Sequence, residues 1–139
     1  MTTTPNGITL AQARTVLDAA LAKADAIGQP MDVAIVDAGA HLVHFGRQEG
    51  ALLGSVDIAV GKARSAVLLQ MPTSALAEAA APGAPLFGIE VTNGGLVIFG
   101  GGIPIRDGDR IVGAIGVSSG TVGQDVEVAE AGAAAYSGA

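Results

Sequence analysis

The sequence predicts an α/β domain of the α+β kind, with about five strands in an antiparallel sheet flanked by helices in the order α-β-β-α-α-β-β-β-α. Three observations carry this. Apolar residues recur at helical spacing in several separate stretches. Two turn pairs, Asn93-Gly94 and Asp107-Gly108, sit between short apolar runs, as tight hairpins require. Strands joined mainly by hairpins, and not by crossover helices, exclude a doubly wound parallel sheet. At 139 residues the chain has about the length of one domain. No repeat or linker divides it, so residues 1–139 read as one unit with a flexible tail over residues 1–7.

The elements follow in order. Thr9-Leu-Ala-Gln12 has the form of a capping box, in which the hydroxyl and the amide satisfy each other's backbone N–H. A helix starts there, carries Leu10, Ala13, Leu17, Ala20, Leu21, Ala24 and Ile27 on one side, and stops at Gly28 and Pro30. Met31 to Val36 is apolar at both alternating sets, which suits a central strand covered on both faces. Asp37-Ala38-Gly39 turns the chain and Leu42 to Phe45 resumes strand character, so residues 31–47 form a hairpin. Ser55 caps a second helix with Val56, Ala59, Val60, Ala63 and Val67 on one side and Lys62, Arg64 and Gln70 elsewhere. Pro72 interrupts it, and Thr73 or Ser74 caps a short Ala-rich helix ending at Pro82-Gly83. Ile89 to Thr92 and Leu96 to Phe99 flank Asn93-Gly94 as a second hairpin. After Gly100-Gly101-Gly102, Ile103 to Ile105 and Arg110 to Val117 make a third. Thr121-Val-Gly-Gln124 repeats the capping box, and Val126, Ala129, Ala133 and Tyr136 continue a last helix.

Half of the residues are apolar, but with three Phe, one Tyr and no Trp the core must be built from small and branched aliphatics. Seven basic residues face thirteen acidic ones, without the Lys/Arg cluster that tracks phosphates, so nucleic acid is excluded as a partner. The lack of cysteine removes disulfides, thiolate nucleophiles and zinc–thiolate sites. Met1 to Gly7 has no basic region followed by an apolar run, so no secretory leader is expected and a cytoplasmic location follows by default. The apolar stretches break well before the roughly 18 residues of a membrane span, so no membrane partner is expected.

Several residues invite chemistry. Gly94 to Gly102 is rich enough in glycine to cradle an anion. It lacks the Lys of a Walker loop, however, and leads into a strand where a dinucleotide fingerprint needs a helix. A glycine-made bend that lets a ligand or a second subunit approach the sheet remains. Gly116-Val-Ser118-Ser-Gly120 matches the nucleophile-elbow string, but both histidines lie upstream of the serine, against the hydrolase order. Ser118 reads as part of a polar loop before a capped helix. His41 and His44 are three apart on a strand, point to opposite faces and are unsuited to sharing one metal ion. Each alone is a candidate haem ligand or proton carrier, or a half-buried hydrogen-bonded residue. Arg47, Glu49, Asp57 and Lys62 gather between the first hairpin and the second helix. They form either a site for a carboxylate-bearing ligand or a solvated charged rim. The small residues from Ala129 to Ala135 permit close helix contact, including self-association, or express helix propensity alone.

Several strings in fixed order add a resemblance: Val36-Asp-Ala-Gly39 with His41-Leu-Val43, Gly54-Ser-Val-Asp-Ile-Ala-Val-Gly-Lys62-Ala63, Met71-Pro-Thr73, Thr92-Asn-Gly-Gly95, and Phe99-Gly-Gly-Gly102-Ile-Pro-Ile105 followed by Val112 to Ser118. From about Ile8 to Tyr136 the chain resembles the GlcG/HbpS family, also known as the haem-degrading or PduO C-terminal domain. The resemblance implies a profilin-like fold, assembly into homo-oligomers, often tetramers or octamers, and haem binding in some members. It puts a ligand-binding wall at Asn93, Gly101, Gly102 and Pro104, with Lys62 and Arg47 nearby. His41 falls within a family string without thereby becoming a haem ligand.

Two functions follow. The first is a small-molecule-binding protein whose groove, between the glycine-rich strand and the second helix, takes haem or a similar carboxylate-bearing molecule paired with Lys62 and Arg47. The second is a cofactor-free lyase or isomerase acting on a small oxygenated metabolite, with Lys62, Glu49 or Asp37 as acid/base groups in the same groove.

Overall fold

The computed structural model describes residues 6–138; residues 1–5 of the expected tail, and residue 139, lie outside them. Asn6 accepts a hydrogen bond from the Ala38 N–H (3.0 Å), and Ile8 donates to the Val112 carbonyl (2.8 Å), so the chain is tied to the sheet from Asn6 onward.

The elements are α1 (Leu10–Ile27), β1 (Asp32–Asp37), β2 (Leu42–Arg47), α2 (Gly54–Leu69), α3 (Thr73–Ala79), β3 (Gly102–Asp107), β4 (Arg110–Ser118) and α4 (Val122–Ala134). The four strands form one antiparallel sheet in the order β2-β1-β4-β3. The central position expected of Met31–Val36 holds, since β1 pairs with both β2 and β4. Val33 and Ile35 join Val16, Leu17, Ile115, Val117 and Val128 in the larger core, between the sheet and α1 and α4. Ala34 and Val36 meet Ala59, Ala63, Ala66 and Ala114 in a thinner core under α2. That second core is thin because Gly116 has no side chain: a Cβ there would run into the Ala59 carbonyl and stand 2.6 Å from the Ala63 nitrogen. Helix α2 therefore rests almost directly on the backbone of β4.

Both predicted capping boxes form. Thr9 Oγ1 accepts from the Gln12 N–H (3.1 Å) while Gln12 Oε1 accepts from the Thr9 N–H (2.9 Å), and Thr121 and Gln124 repeat the pair. The other two predicted caps do not form. Helix α2 has Leu53 at its N-cap and no side-chain cap; Ser55 lies inside it and its Oγ accepts a buried hydrogen bond from Ser118 Oγ (2.9 Å). Helix α3 has Pro72 at its N-cap, and the buried Thr73 hydroxyl accepts from the Gly102 N–H (2.8 Å).

The sheet has four strands where about five were expected. Asn93 and Gly94 do adopt the left-handed conformations of a tight turn (φ 55° and 72°), closed by a hydrogen bond from the Gly95 N–H to the Thr92 carbonyl (2.9 Å). The arms do not pair as strands. Ile89–Val91 is a short 3-10 turn, and the Val97 N–H that a ladder would need is bound by the Ser65 hydroxyl of α2 (2.9 Å). A helix side chain has taken the place of a partner strand. The small residues of α4 act within the chain: a Cβ on Gly132 would stand 3.1 Å from the Ala20 Cβ and 3.2 Å from the Val16 carbonyl oxygen, so α1 and α4 are in close contact. Among the described residues no helix is long and apolar enough to cross a membrane.

Candidate ligand groove

Two neighbouring features occupy the space between α2 and the glycine-rich segment: a buried ion pair and an open groove. The ion pair is centred on Lys62. Its side chain is fully buried, and its ammonium donates to the Val117 carbonyl (2.8 Å) and to Asp125 Oδ2 (2.9 Å). The ammonium also sits 4.7 Å from the centre of the Phe99 ring, a cation–π distance. Asp125 Oδ1 accepts from the Gly120 N–H (2.9 Å), so the first turn of α4 holds the carboxylate where the helix dipole favours it. Burial pulls the lysine below its ordinary range and pushes the aspartate above its own, and the hydrogen bond between them opposes both shifts.

Two of the three consecutive glycines make room for Lys62. Gly101 has φ 128°, and a Cβ there would stand 2.5 Å from the Val117 oxygen and 2.7 Å from Lys62 Nζ. A Cβ on Gly102 would strike the Lys62 carbonyl and lie 2.7 Å from Thr73 Cγ2. What approaches the main chain at Gly101 and Gly102 is α2 itself, while Gly100 is faced by Val122 and Val126 of α4. With two acceptors, a ring beside it and a fully buried side chain, the Lys62 ammonium is closed off from a ligand's carboxylate.

One turn further along α2 the surface opens. A groove of about 300 Å³ is lined by Asp57, Val60, Gly61 and Arg64 of α2 and by Gly94, Gly95, Leu96 and Val97 across from them. It lies beside the glycine-rich segment and the second helix, and the cation on its wall is Arg64; Lys62 is not among its lining residues. Arg64 is half-buried and Asp57 exposed, and neither takes part in an ion pair or side-chain hydrogen bond among the described residues. Asp57, Gly61 and Arg64 follow the i, i+4, i+7 rhythm of one helix face, opposite the buried Ala59, Ala63 and Ala66. That rhythm was available in the sequence and singles out Arg64.

The remaining candidates are dispersed. Asn93 stands at the exposed tip of the turn next to Gly94, its side-chain amide donating to Thr92 Oγ1 (3.0 Å). Pro104 is half-buried in β3, opposite Ala114. Arg47 ends β2 opposite Asp32, away from the groove. Glu49 lines a different hollow with Asp25, Gln29 and Gln48, an acidic wall unsuited to a carboxylate-bearing ligand. Asp37 braces a turn, its Oδ1 accepting from the Gly39 and His41 N–H groups (2.9 and 3.0 Å). His41 sits in that turn, 77% exposed and 3.4 Å from the same oxygen. His44 lies in β2 opposite Ile35. Ser118 ends β4, buried, with the Ser55 hydroxyl as its partner and no imidazole bonded to it. Lys62, Glu49 and Asp37 do not converge, and nothing supports the lyase or isomerase alternative. Among the described residues no cluster of three metal-ligating side chains occurs.

Comparison with known proteins agrees with this fold. The profile of the family described as haem degrading protein HbpS-like matches residues 8–134. An uncharacterized 15.0 kDa protein of Citrobacter freundii, from the dhaT-dhaS intergenic region, is 41% identical over 124 residues, covering 88% of this chain and 87% of that protein. The corrinoid adenosyltransferase PduO of the same organism is 37% identical over 118 residues; the match spans 84% of this chain but 35% of PduO. Among solved structures, the Klebsiella pneumoniae protein ORFY superposes with a TM-score of 0.92 at 34% identity, over 99% of this chain and 96% of its own. A complex named PduOC:Heme superposes with a TM-score of 0.89 at 33% identity, over 93% and 94%.

Proposed function

This chain belongs to the family of HbpS-like haem-degrading proteins, and from that premise we propose that it is a binding protein for haem or a similar flat, carboxylate-bearing molecule, held in the groove between α2 and Gly94–Val97. The observation that carries the reading is the groove's construction. Gly94 and Gly95 present bare main chain to a flat ring, Val60, Leu96 and Val97 supply apolar contact, and Arg64 offers a guanidinium that is unpaired among the described residues. The complex of the similar PduOC with haem adds weight.

The lining residues suit the ring and the carboxylates of haem; none of them carries an imidazole, thiol, thioether or phenol for the iron. Binding in this groove therefore depends on the porphyrin and not on the metal. Titration with haem and with metal-free protoporphyrin, followed by absorbance, is expected to give affinities within about threefold of each other. Arg64→Ala should weaken both by about tenfold, the worth of one charge-assisted contact. Haem binding that survives Arg64→Ala but is lost in His44→Ala would move the site to β2 and overturn the reading.

Self-association belongs to the same proposal. The groove is open on one side, and large apolar side chains stand free nearby on the surface, Leu53 at 74% and Val91 at 82% exposure among them. A symmetric tetramer or octamer covers such side chains. Sedimentation equilibrium tests this, and a monomer at all concentrations would reject it.

A further inference from the structure

We propose that Asp57 is a specificity-determining residue: it makes the groove reject flat ring systems that carry carboxylates around their whole rim and accept those whose carboxylates lie on one edge. The inference rests on the reading of the groove as a porphyrin site and names the substrate class within it.

The geometry comes from α2. Asp57 and Arg64 are seven residues apart on one helix face, so their Cα atoms are separated by about 10 Å along the axis, with Gly61 between them. A Cβ on Gly61 would lie 2.7 Å from Val97 Cγ2, so the Val97 side chain packs directly onto the helix at residue 61 and forms the apolar surface between the two charges. The groove thus has a basic end and an acidic end joined by a smooth apolar middle. Since neither charge is neutralised by a neighbouring side chain, both act on whatever lies between them.

A ring held by one carboxylate at Arg64 brings its far edge towards Asp57. Where that edge is apolar, the exposed aspartate stays hydrated at no cost. Where it carries a carboxylate, two like charges face each other, and at a separation of about 5 Å their Coulomb repulsion acts on affinity. In largely solvated surroundings that repulsion corresponds to about threefold to tenfold in affinity at low salt, and it fades once the Debye length falls below the separation, at about 1 M salt. Asp57 thereby discriminates by repulsion, while Arg64 serves both ligand types alike.

The test compares protoporphyrin IX, with carboxylates on one edge, and coproporphyrin III, with one on every pyrrole, against the wild-type chain, Asp57→Asn and the control Glu49→Gln. The readout is the ratio of the two affinities, so intrinsic differences between the porphyrins cancel between variants. Asp57→Asn is expected to shift the ratio towards coproporphyrin by about threefold to tenfold at low salt, with the shift disappearing in 1 M salt. Glu49→Gln, which removes the same charge outside the groove, should leave the ratio unchanged. An equal ratio in wild type and Asp57→Asn, or an equal shift in Glu49→Gln, overturns the proposal. If protoporphyrin binds no variant at all, the groove reading itself fails and takes this inference with it.

Discussion

Lys62 Nζ and Asp125 Oδ2 lie 2.9 Å apart with both side chains closed off from water, so a single ion pair ties the middle of α2 to the first turn of α4. Breaking such a pair from one side leaves a buried charge without a partner. Lys62→Met is expected to lower unfolding stability by about 3–5 kcal/mol. Adding Asp125→Leu should restore most of it, because the orphaned carboxylate is then gone. Denaturant titration of the two single variants and the double variant measures this; losses that simply add would show the two residues to be energetically independent.

Asp32 presents the opposite case. It is fully buried, and neither carboxylate oxygen has a hydrogen-bond partner among the described residues. Burial pushes its pKa up, and Arg47, its cross-strand neighbour, opposes the shift. A carboxylate whose folded pKa is raised binds its proton more tightly folded than unfolded. Its contribution is therefore most favourable below the unfolded value, near pH 4, and declines as pH rises through the folded value. Asp32→Asn should be more stable than wild type at pH 7 by about 1–2 kcal/mol, with a flatter stability profile above pH 4. Arg47→Ala should steepen that profile. Thermal unfolding across the pH range decides, and a wild-type profile in Asp32→Asn would rule the account out.

The elements set by neighbouring residues were legible in the sequence. Thr9 with Gln12, and Thr121 with Gln124, meet their partners three positions away, and Asn93-Gly94 makes its turn with its own backbone. What was not legible depends on residues far along the chain. Ser55 and Thr73 look like helix caps, yet their hydroxyls meet Ser118 and Gly102, 63 and 29 positions away. The expected fifth strand fails because Ser65, 32 residues upstream, captures the Val97 N–H. Lys62 reads as a solvent-facing cation because lysine usually is one; only the approach of Asp125, 63 residues later, makes its burial tolerable. That an opening lined by Arg64 lies between α2 and Gly94–Val97 likewise depends on how those distant segments pack.

Thr73 makes one of these distant bonds testable alone. Thr73→Val keeps the shape and removes the oxygen that accepts from the buried Gly102 N–H. The expected loss is about 1–3 kcal/mol, together with faster hydrogen exchange at Gly102. Unchanged protection of that amide would mean that another acceptor takes over.

Arg64 separates fold from function. Its guanidinium holds no partner among the described residues, so Arg64→Ala should change unfolding stability by no more than about 0.5 kcal/mol while weakening porphyrin binding. A large loss of stability in this variant would show that the side chain supports the fold.

One hydroxyl governs both jaws of the groove. Ser65 Oγ donates to the Gly61 carbonyl (2.7 Å) and accepts from the Val97 N–H (2.9 Å), and both of those residues line the opening. The loop consequently rides with the helix, and the aperture keeps its gauge as the surface fluctuates.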